Sequence, residues 1–510
     1  MTRHHSRHQL TATELEARRQ PRTDVLVERA DGPDRFVQHT GPFSRYERVL
    51  EVTPNADAGF DVTERFDWKL AIPVWSVLFR RPVRRSLINP PRPGTVPAWS
   101  PPDMLDIRTT RIFSLLAVLA VFDGYLGAIL SQTMTFAADE FGNSTQDQST
   151  ALAAVRSGVL ISIVLLTLAD RQGRRALLLI TGMLACGLTI VGGLAPNLWV
   201  LGATQAGARG VTTALGILIL VVMAEELPAG SRAYGTSVLA LAAALGAGVT
   251  IWLLPLADLG EAAWRIHYFV PLLFFAPIWW AARQIPESKR FLIADEDDDP
   301  APDPTLGRRL LLLGVTSFFL AFFAAPASQL RNDYLKNERG MTGSDIALFS
   351  LVTYAPWGLG VFLAGRIADI RGRRPVAILG LLGGALFTVL GYSSAGVMLW
   401  VFTLVGNFIG AATVPSLGVY GPEMFSTRRR GQANATITLI AVGGSTLGLL
   451  LVGSLADDSG LGNYGQAFLI ASVAAVIAAV LIAVAYPETA RRELEDINPT
   501  DEHGAGRRTG

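Results

Sequence analysis

From Ile112 onward the chain is built of apolar runs of roughly twenty residues, the length at which an α-helix crosses the hydrocarbon core of a bilayer. The runs read as spans near 112–136, 150–169, 176–195, 198–223, 234–257 and 266–284, and again near 310–330, 345–365, 376–395, 397–421, 433–456 and 465–486. Half of the 510 residues are hydrophobic and only 17% are charged, too little charge to cover the surface of a soluble chain of this length. The 50 glycines suit helices whose backbones approach closely. These features predict an all-α membrane protein of twelve helices.

Composition also removes function classes. A net charge of +1 gives no case for binding nucleic acid. The single cysteine, Cys186, excludes an intrachain disulfide and a cysteine metal cage. There is no phosphate-cradling glycine loop, no HExxH and no nucleophile triad, which speaks against an enzyme or an ATP-driven pump; no cofactor is expected. The polar start Met1–His8 is not a cleaved secretory signal, and its HHSRH stretch reads as a disordered tail rather than a metal site.

Arginine and lysine placement sets the expected orientation. Alternate connectors carry Arg171, Arg174 and Arg175; Arg232; Lys289 and Arg290; Arg371, Arg373 and Arg374; and Arg428, Arg429 and Arg430. The facing connectors carry none apart from Arg265 and a loop holding Arg331, Lys336 and Arg339. The positive-inside rule then puts both termini in the cytoplasm of a multi-pass protein of the plasma membrane.

Five regions follow: a cytoplasmic extension over 1–108, a six-helix bundle over 109–292, an acidic, proline-bearing linker over 293–309, a second bundle over 310–489 and a tail over 490–510. Residues 1–60 read as largely disordered. The amphipathic segment near 66–86 sets Trp68, Ile72, Trp75 and Phe79 on one helical face ahead of Arg80, Arg81, Arg84 and Arg85. It reads as a helix lying on the anionic leaflet or packed on the protein's own cytoplasmic face, with Pro73 and Pro82 interrupting it.

The two halves share landmarks at one offset. "LADRQGRR" and "IADIRGRR", "EELPAGSR" and "EMFSTRRR", and "PESKRFL" and "PETARREL" each stand about 200 residues apart, which marks a duplicated six-span unit. Six spans return the chain to the same side, so the two copies run parallel.

These motifs resemble the loop signatures of the major facilitator superfamily, and the resemblance covers roughly 110–495. The glutamate motifs and the PES and PET segments look like its sugar-porter and organic-acid-symporter branches, and "FDGYLGAI" is similar to the first span of aromatic-acid symporters. The resemblance implies two pseudo-symmetric bundles, alternating access and a latch between them made by Asp170, Gly173, Arg174, Glu225 and Arg232 in one copy. In the other copy the latch would comprise Gly365, Asp369, Gly372, Arg373, Glu423 and Arg430. Leu166 replaces the leading glycine of the first signature, and Leu126 stands where related chains carry a second membrane aspartate. Arg175, Arg374, Arg428 and Arg429 read as topogenic only. Trp264-Arg265 resembles a further family landmark with a structural role.

An ionisable group at bilayer depth is costly, so it marks a candidate site. Asp123, Arg156 and Arg209 fall near mid-membrane in the first bundle, and the second bundle offers only neutral Ser317, Tyr354, Asn407 and Tyr420. One carboxylate against two arginines favours an anionic small-molecule substrate, docked on Arg156 or Arg209, with Asp123 as proton carrier or switch. The expectation is a secondary active transporter, a proton-coupled importer of an organic anion. An exporter on the same fold and a sensor using the N-terminal extension are the alternatives. If Asp369 serves the latch, Asp369→Asn lowers uptake without lowering membrane insertion; unchanged uptake counts against it.

Overall fold

The computed structural model describes residues 2–89 except 56–58, residues 97 and 99–287 except 229–230, and residues 306–488 except 419, 421–423, 426–429 and 458–459. Most of the 293–309 linker and the 490–510 tail lie outside the described residues.

The apolar runs form helices, and the membrane part is all-α. After α1 (Ala12–Arg18) and α2 (Ser76–Ile88) come α3 (Ile107–Glu140), α4 (Thr145–Val155), α5 (Val159–Gln172), α6 (Arg174–Gly192), α7 (Leu198–Glu226) and α8 (Arg232–Leu253). Next are α9 (Arg265–Phe269) and α10 (Phe275–Gln284), then α11 (Leu306–Gln329), α12 (Arg331–Asp333), α13 (Gly343–Arg371) and α14 (Arg373–Tyr392). The series closes with α15 (Gly396–Gly410), α16 (Thr413–Gly418), α17 (Arg430–Ala456) and α18 (Tyr464–Ala485). Ten helical segments among the described residues are long and apolar enough to cross a membrane. The pair α9–α10 and the helix α13 stand at the sixth and eighth of the spans read from the sequence.

The duplication shows in local detail. Ser144 with Asp147 closes a capping box at the start of α4, and Thr342 with Asp345 closes its counterpart at α13. Glycines bring paired helices into backbone contact in both bundles. A Cβ on Gly124 would collide with the Ala243 carbonyl, and one on Gly246 with that of Val121, so α3 lies directly against α8. In the second bundle Gly444 and Gly448 meet the carbonyls of Phe318 and Phe322 in the same way, pressing α17 onto α11.

Hydrogen bonds join the two bundles at the end opposite the repeated motifs. Asn332 Nδ2 donates to the Gln132 carbonyl at 3.0 Å, and Thr145 Oγ1 to Asp333 Oδ2 at 3.0 Å. Asp258 accepts the backbone N–H of Gly343 at 2.6 Å and of Ser344 at 2.8 Å, and Lys336 pairs with Asp139. That end of the molecule is closed.

Ahead of the bundles, the structure departs from the sequence reading. Residues read as disordered form a five-stranded antiparallel sheet in the order β1-β5-β4-β3-β2. The strands are β1 (Thr2–Leu10), β2 (Val27–Ala30), β3 (Arg35–Thr40), β4 (Phe43–Pro54) and β5 (Phe60–Leu70). The HHSRH stretch is part of edge strand β1. The expected amphipathic helix is also redrawn: Trp68 belongs to β5, Ile72 and Trp75 to the turn after it, and only Phe79 to α2.

The reason is that this sheet buries charge. Register pairs Tyr46 with Trp68, Arg48 with Phe66 and Leu50 with Glu64 on one inner face, so the period-2 pattern is there, with ionic groups at some of its apolar places. Arg48 is 1% exposed and sits 2.6 Å from Glu28 and 3.1 Å from Glu64, with its guanidinium over the Phe36 ring at 4.2 Å. Tyr46 donates to Glu28 at 2.7 Å; burial, then the Glu28 charge, pushes its phenol well above the ordinary range. Phe79, Val83 and Leu87 of α2 cover Phe43, Trp68 and Leu70, while Arg22 donates to the carbonyls of Ser86 and Leu87 at the end of that helix.

The domain docks on the first bundle. Trp75 Nε1 donates to the Ser114 carbonyl at 3.1 Å, Ser114 Oγ to the Pro73 carbonyl at 2.8 Å, and Tyr234 Oη to the Trp99 carbonyl at 2.9 Å.

Removing one member of a buried ionic cluster strands the others, at a cost of about 3–5 kcal/mol. Arg48→Ala in the full chain is expected to accelerate hydrogen exchange across β4 and β5 while leaving α3 and α8 protected. Unchanged exchange in the two strands would contradict the assigned role of Arg48.

Candidate functional site

The repeated loops share one geometry. Gly173 (φ +95°) and Gly372 (φ +104°) hold a backbone conformation that side chains avoid, and each sits between two helices. A Cβ there would stand 2.6 Å from Glu287 Oε2 or 2.8 Å from Glu488 Oε2. Those glutamates, from the PES and PET segments, cap the next helix. Glu287 accepts the N–H of Arg174 at 2.8 Å, and Glu488 accepts the N–H of Arg373 at 2.9 Å and of Arg374 at 3.2 Å. A carboxylate at a helix N-terminus is favoured by the unpaired N–H groups and the helix dipole.

Glu287 and Glu488 were visible in sequence only as landmarks; the signal was their place in both repeats. Arg174 pairs with Glu225 at 3.3 Å, joining two members of the latch set read from the sequence. Asp170, Arg232, Gly365, Asp369 and Arg430 stand on helical backbone, but their surroundings lie outside the described residues, and Glu423 lies outside them altogether.

The interior charges of the first bundle converge. Arg156 opens a 3-10 turn, Arg156–Gly158, between α4 and α5. Gly158 there and Gly210 on α7 leave no room for a Cβ, so α7 passes backbone to backbone and brings Arg209 beside Arg156. The two arginines line one small cavity with Ser131, Gln205, Leu126 and, from the second bundle, Gln329. Arg209 also reaches an adjoining cavity of about 620 Å³ that contains Asp123, Thr212, Thr213 and Gly216. Its Nη1 donates to the Gly127 carbonyl at 3.0 Å. Asp123 Oδ1 is buried with no hydrogen-bond partner, and Gly216 makes space for the carboxylate: a Cβ there would stand 3.0 Å from Oδ2. Asp123 and Arg209 therefore share a cavity without closing an ion pair on each other.

In the second bundle Tyr354 and Asn407 line a cavity of about 250 Å³ between α11, α13, α14 and α15. Asn407 Nδ2 donates to the Thr353 carbonyl at 3.1 Å. Tyr420 stands apart: it is buried, donates to the Pro487 carbonyl at 3.1 Å and packs edge-on to Tyr486.

The expectation that this bundle holds no interior charge is corrected. Arg331, assigned to a loop, is 7% exposed and lines the same cavity, because the helix of span 7 runs on from Leu306 to Glu338 past Pro326. The polar run RNDYLKNE concealed that extension. Trp264 and Arg265 fasten the far end: Arg265 pairs with Glu140 at 2.9 Å and donates to the carbonyls of Gly193 and Ala195.

Repeated loop geometry, interior charges and bundle contacts gathered at one end describe a two-bundle helical membrane fold. Residues 310–505 match the family model of the Major Facilitator Superfamily. The cis,cis-muconate transport protein of Acinetobacter baylyi (strain ATCC 33305 / BD413 / ADP1) is 27% identical over 304 residues, which span 54% of this chain and 71% of that one. Among solved structures, an inward-facing, unoccupied bacterial homologue of the human lysosomal transporter Spinster aligns with a TM-score of 0.61 at 15% identity, over 74% of this chain and 96% of that one. A D-xylose-proton symporter aligns with a TM-score of 0.61 at 20% identity, over 74% and 98%. The second half of the chain thus matches the Major Facilitator Superfamily, and the fold is the one these solved transporters share.

Loss of a helix cap costs about 1 kcal/mol. Glu287→Ala and Glu488→Ala are each expected to lower the melting temperature of the purified protein, and Gly173→Ala to lower it further because it adds strain to the lost space. A glycine variant as stable as the parent would contradict this geometry.

Proposed function

We propose that the chain imports a small organic anion across the plasma membrane by alternating access, coupled to protons. The observation that carries this reading is the pair Arg156 and Arg209, which meet in one cavity, with Asp123 in the adjoining cavity as the one carboxylate lining either among the described residues. Uncompensated positive charge at bilayer depth is costly unless a ligand neutralises it. A carboxylate bound to the two guanidiniums would supply the missing charge.

In this reading the cytoplasmic face is the motif end, and the closed opposite end faces outside. The structure then corresponds to the inward-open stage of the cycle. Rocking the bundles breaks the contacts of Asp258, Asp333 and Asn332 and brings the motif loops together, where the Asp170 and Asp369 loops act as latches. Asp123 carries the proton: when protonated it leaves Arg209 free for substrate, and when ionised it competes for the guanidinium. The muconate relative supports a carboxylate substrate, and the D-xylose-proton symporter supports the coupling.

Arg209→Ala in proteoliposomes is expected to reduce carboxylate uptake at least tenfold, and Asp123→Asn to remove its dependence on an imposed pH gradient. Transport confined to neutral solutes, or full carboxylate uptake by Arg209→Ala, overturns the reading.

A further inference from the structure

Among the described residues, Arg331 is a buried cation with no carboxylate paired to it. Its Nε has no hydrogen-bond partner, and its one hydrogen bond, from Nη2 to Ser350 Oγ, is long at 3.4 Å. Among the described residues no carboxylate forms a salt bridge with it. Asp333, two residues on, is engaged by Tyr464, Thr145 and Asn337. A guanidinium withdrawn from water loses several kcal/mol of solvation, which a hydroxyl at long range and a ring face do not restore. Yet the group is not sealed in protein, because it lines the cavity of about 250 Å³ in the second bundle.

The walls of that cavity describe what fits. The Arg331 guanidinium lies 4.6 Å from the centre of the Tyr354 ring, and Trp357, Phe349 and Tyr392 add further aromatic surface. Thr388, Thr403 and Asn407 supply hydroxyl and amide groups without charge. Tyr354 is 37% exposed and Trp357 42%, so both remain accessible. A guanidinium fork matches a carboxylate, and aromatic walls match a flat, apolar body.

We propose that this cavity is an anion-binding site for a small planar carboxylate, held by Arg331 and separate from the Arg156–Arg209 site. The arginines of the two sites stand on different bundles, and the Arg331 cavity is lined by the second bundle alone. The inference does not depend on what binds at Arg209.

The test uses the full-length protein in detergent, with benzoate as the probe and benzyl alcohol as its neutral counterpart. Melting temperature is followed in Arg209→Gln, which disables the first site, and in Arg209→Gln/Arg331→Met. Benzoate is expected to stabilise Arg209→Gln while benzyl alcohol does not, and the response is expected to vanish in the double variant. Arg331→Lys keeps the charge but not the fork, and is expected to bind benzoate about tenfold more weakly. Without ligand, Arg331→Met is expected to melt no lower than the parent, since it removes an unpaired buried charge. Equal benzoate responses in the single and double variants, or no response in Arg209→Gln, overturn the proposal. So does an Arg209→Gln/Arg331→Met protein that is less stable than Arg209→Gln but retains its benzoate response, which would make Arg331 a packing residue.

Discussion

Inside a bilayer, two helices gain little by burying apolar side chains against each other, because lipid is as apolar as leucine. Close backbone approach has to supply the attraction instead. In this protein the approach is made by Gly124 and Gly246 between α3 and α8, and by Gly444 and Gly448 between α11 and α17. Each pair locks the first and fifth helices of its repeat into one unit. Because the glycines reach full contact with carbonyl groups, the pairs cannot slide gradually. In the proposed cycle the bundles would therefore move as bodies, and only contacts between them, such as those of Asp258 and Asn332, would have to be exchanged.

Charge is handled in three different ways. In the N-terminal sheet, Arg48 is matched by Glu28 and Glu64 at short range, and the cluster holds a small core together. At the motif loops, Glu287 and Glu488 satisfy helix N-termini and hold tight turns at Gly173 and Gly372. In the bundle interiors the balance is left open: Asp123 keeps a bare oxygen, and Arg331 keeps a bare nitrogen. Fully satisfied groups build structure, whereas the unsatisfied ones sit where a cavity admits something else.

What the sequence disclosed follows from the same physics. Lipid-crossing helices need no partner to be recognised, since length and apolar content suffice, and the repeated loops carried their own offset. The N-terminal domain escaped because Arg48 and Glu64 occupy inward places, so an alternating strand looks like a polar tail. Arg331 escaped because charge just beyond an apolar run reads as loop, and only tertiary packing shows that the helix continues. Asp123, Arg156 and Arg209 were legible as rare interior charges. Their convergence depends on the bend at Gly158 and the thin backbone of α7 at Gly210, which spacing alone does not reveal.

The docking of the sheet domain has a mechanical side. Its bonds through Trp75 and Tyr234 reach α3 and α8, the two helices pinned together by Gly124 and Gly246. In the proposed rocking cycle the domain would thus be a handle fixed to one arm. Drag, tethering or crowding applied to that handle would be a torque on one bundle relative to the other. It would bias how the molecule tilts without touching anything inside it.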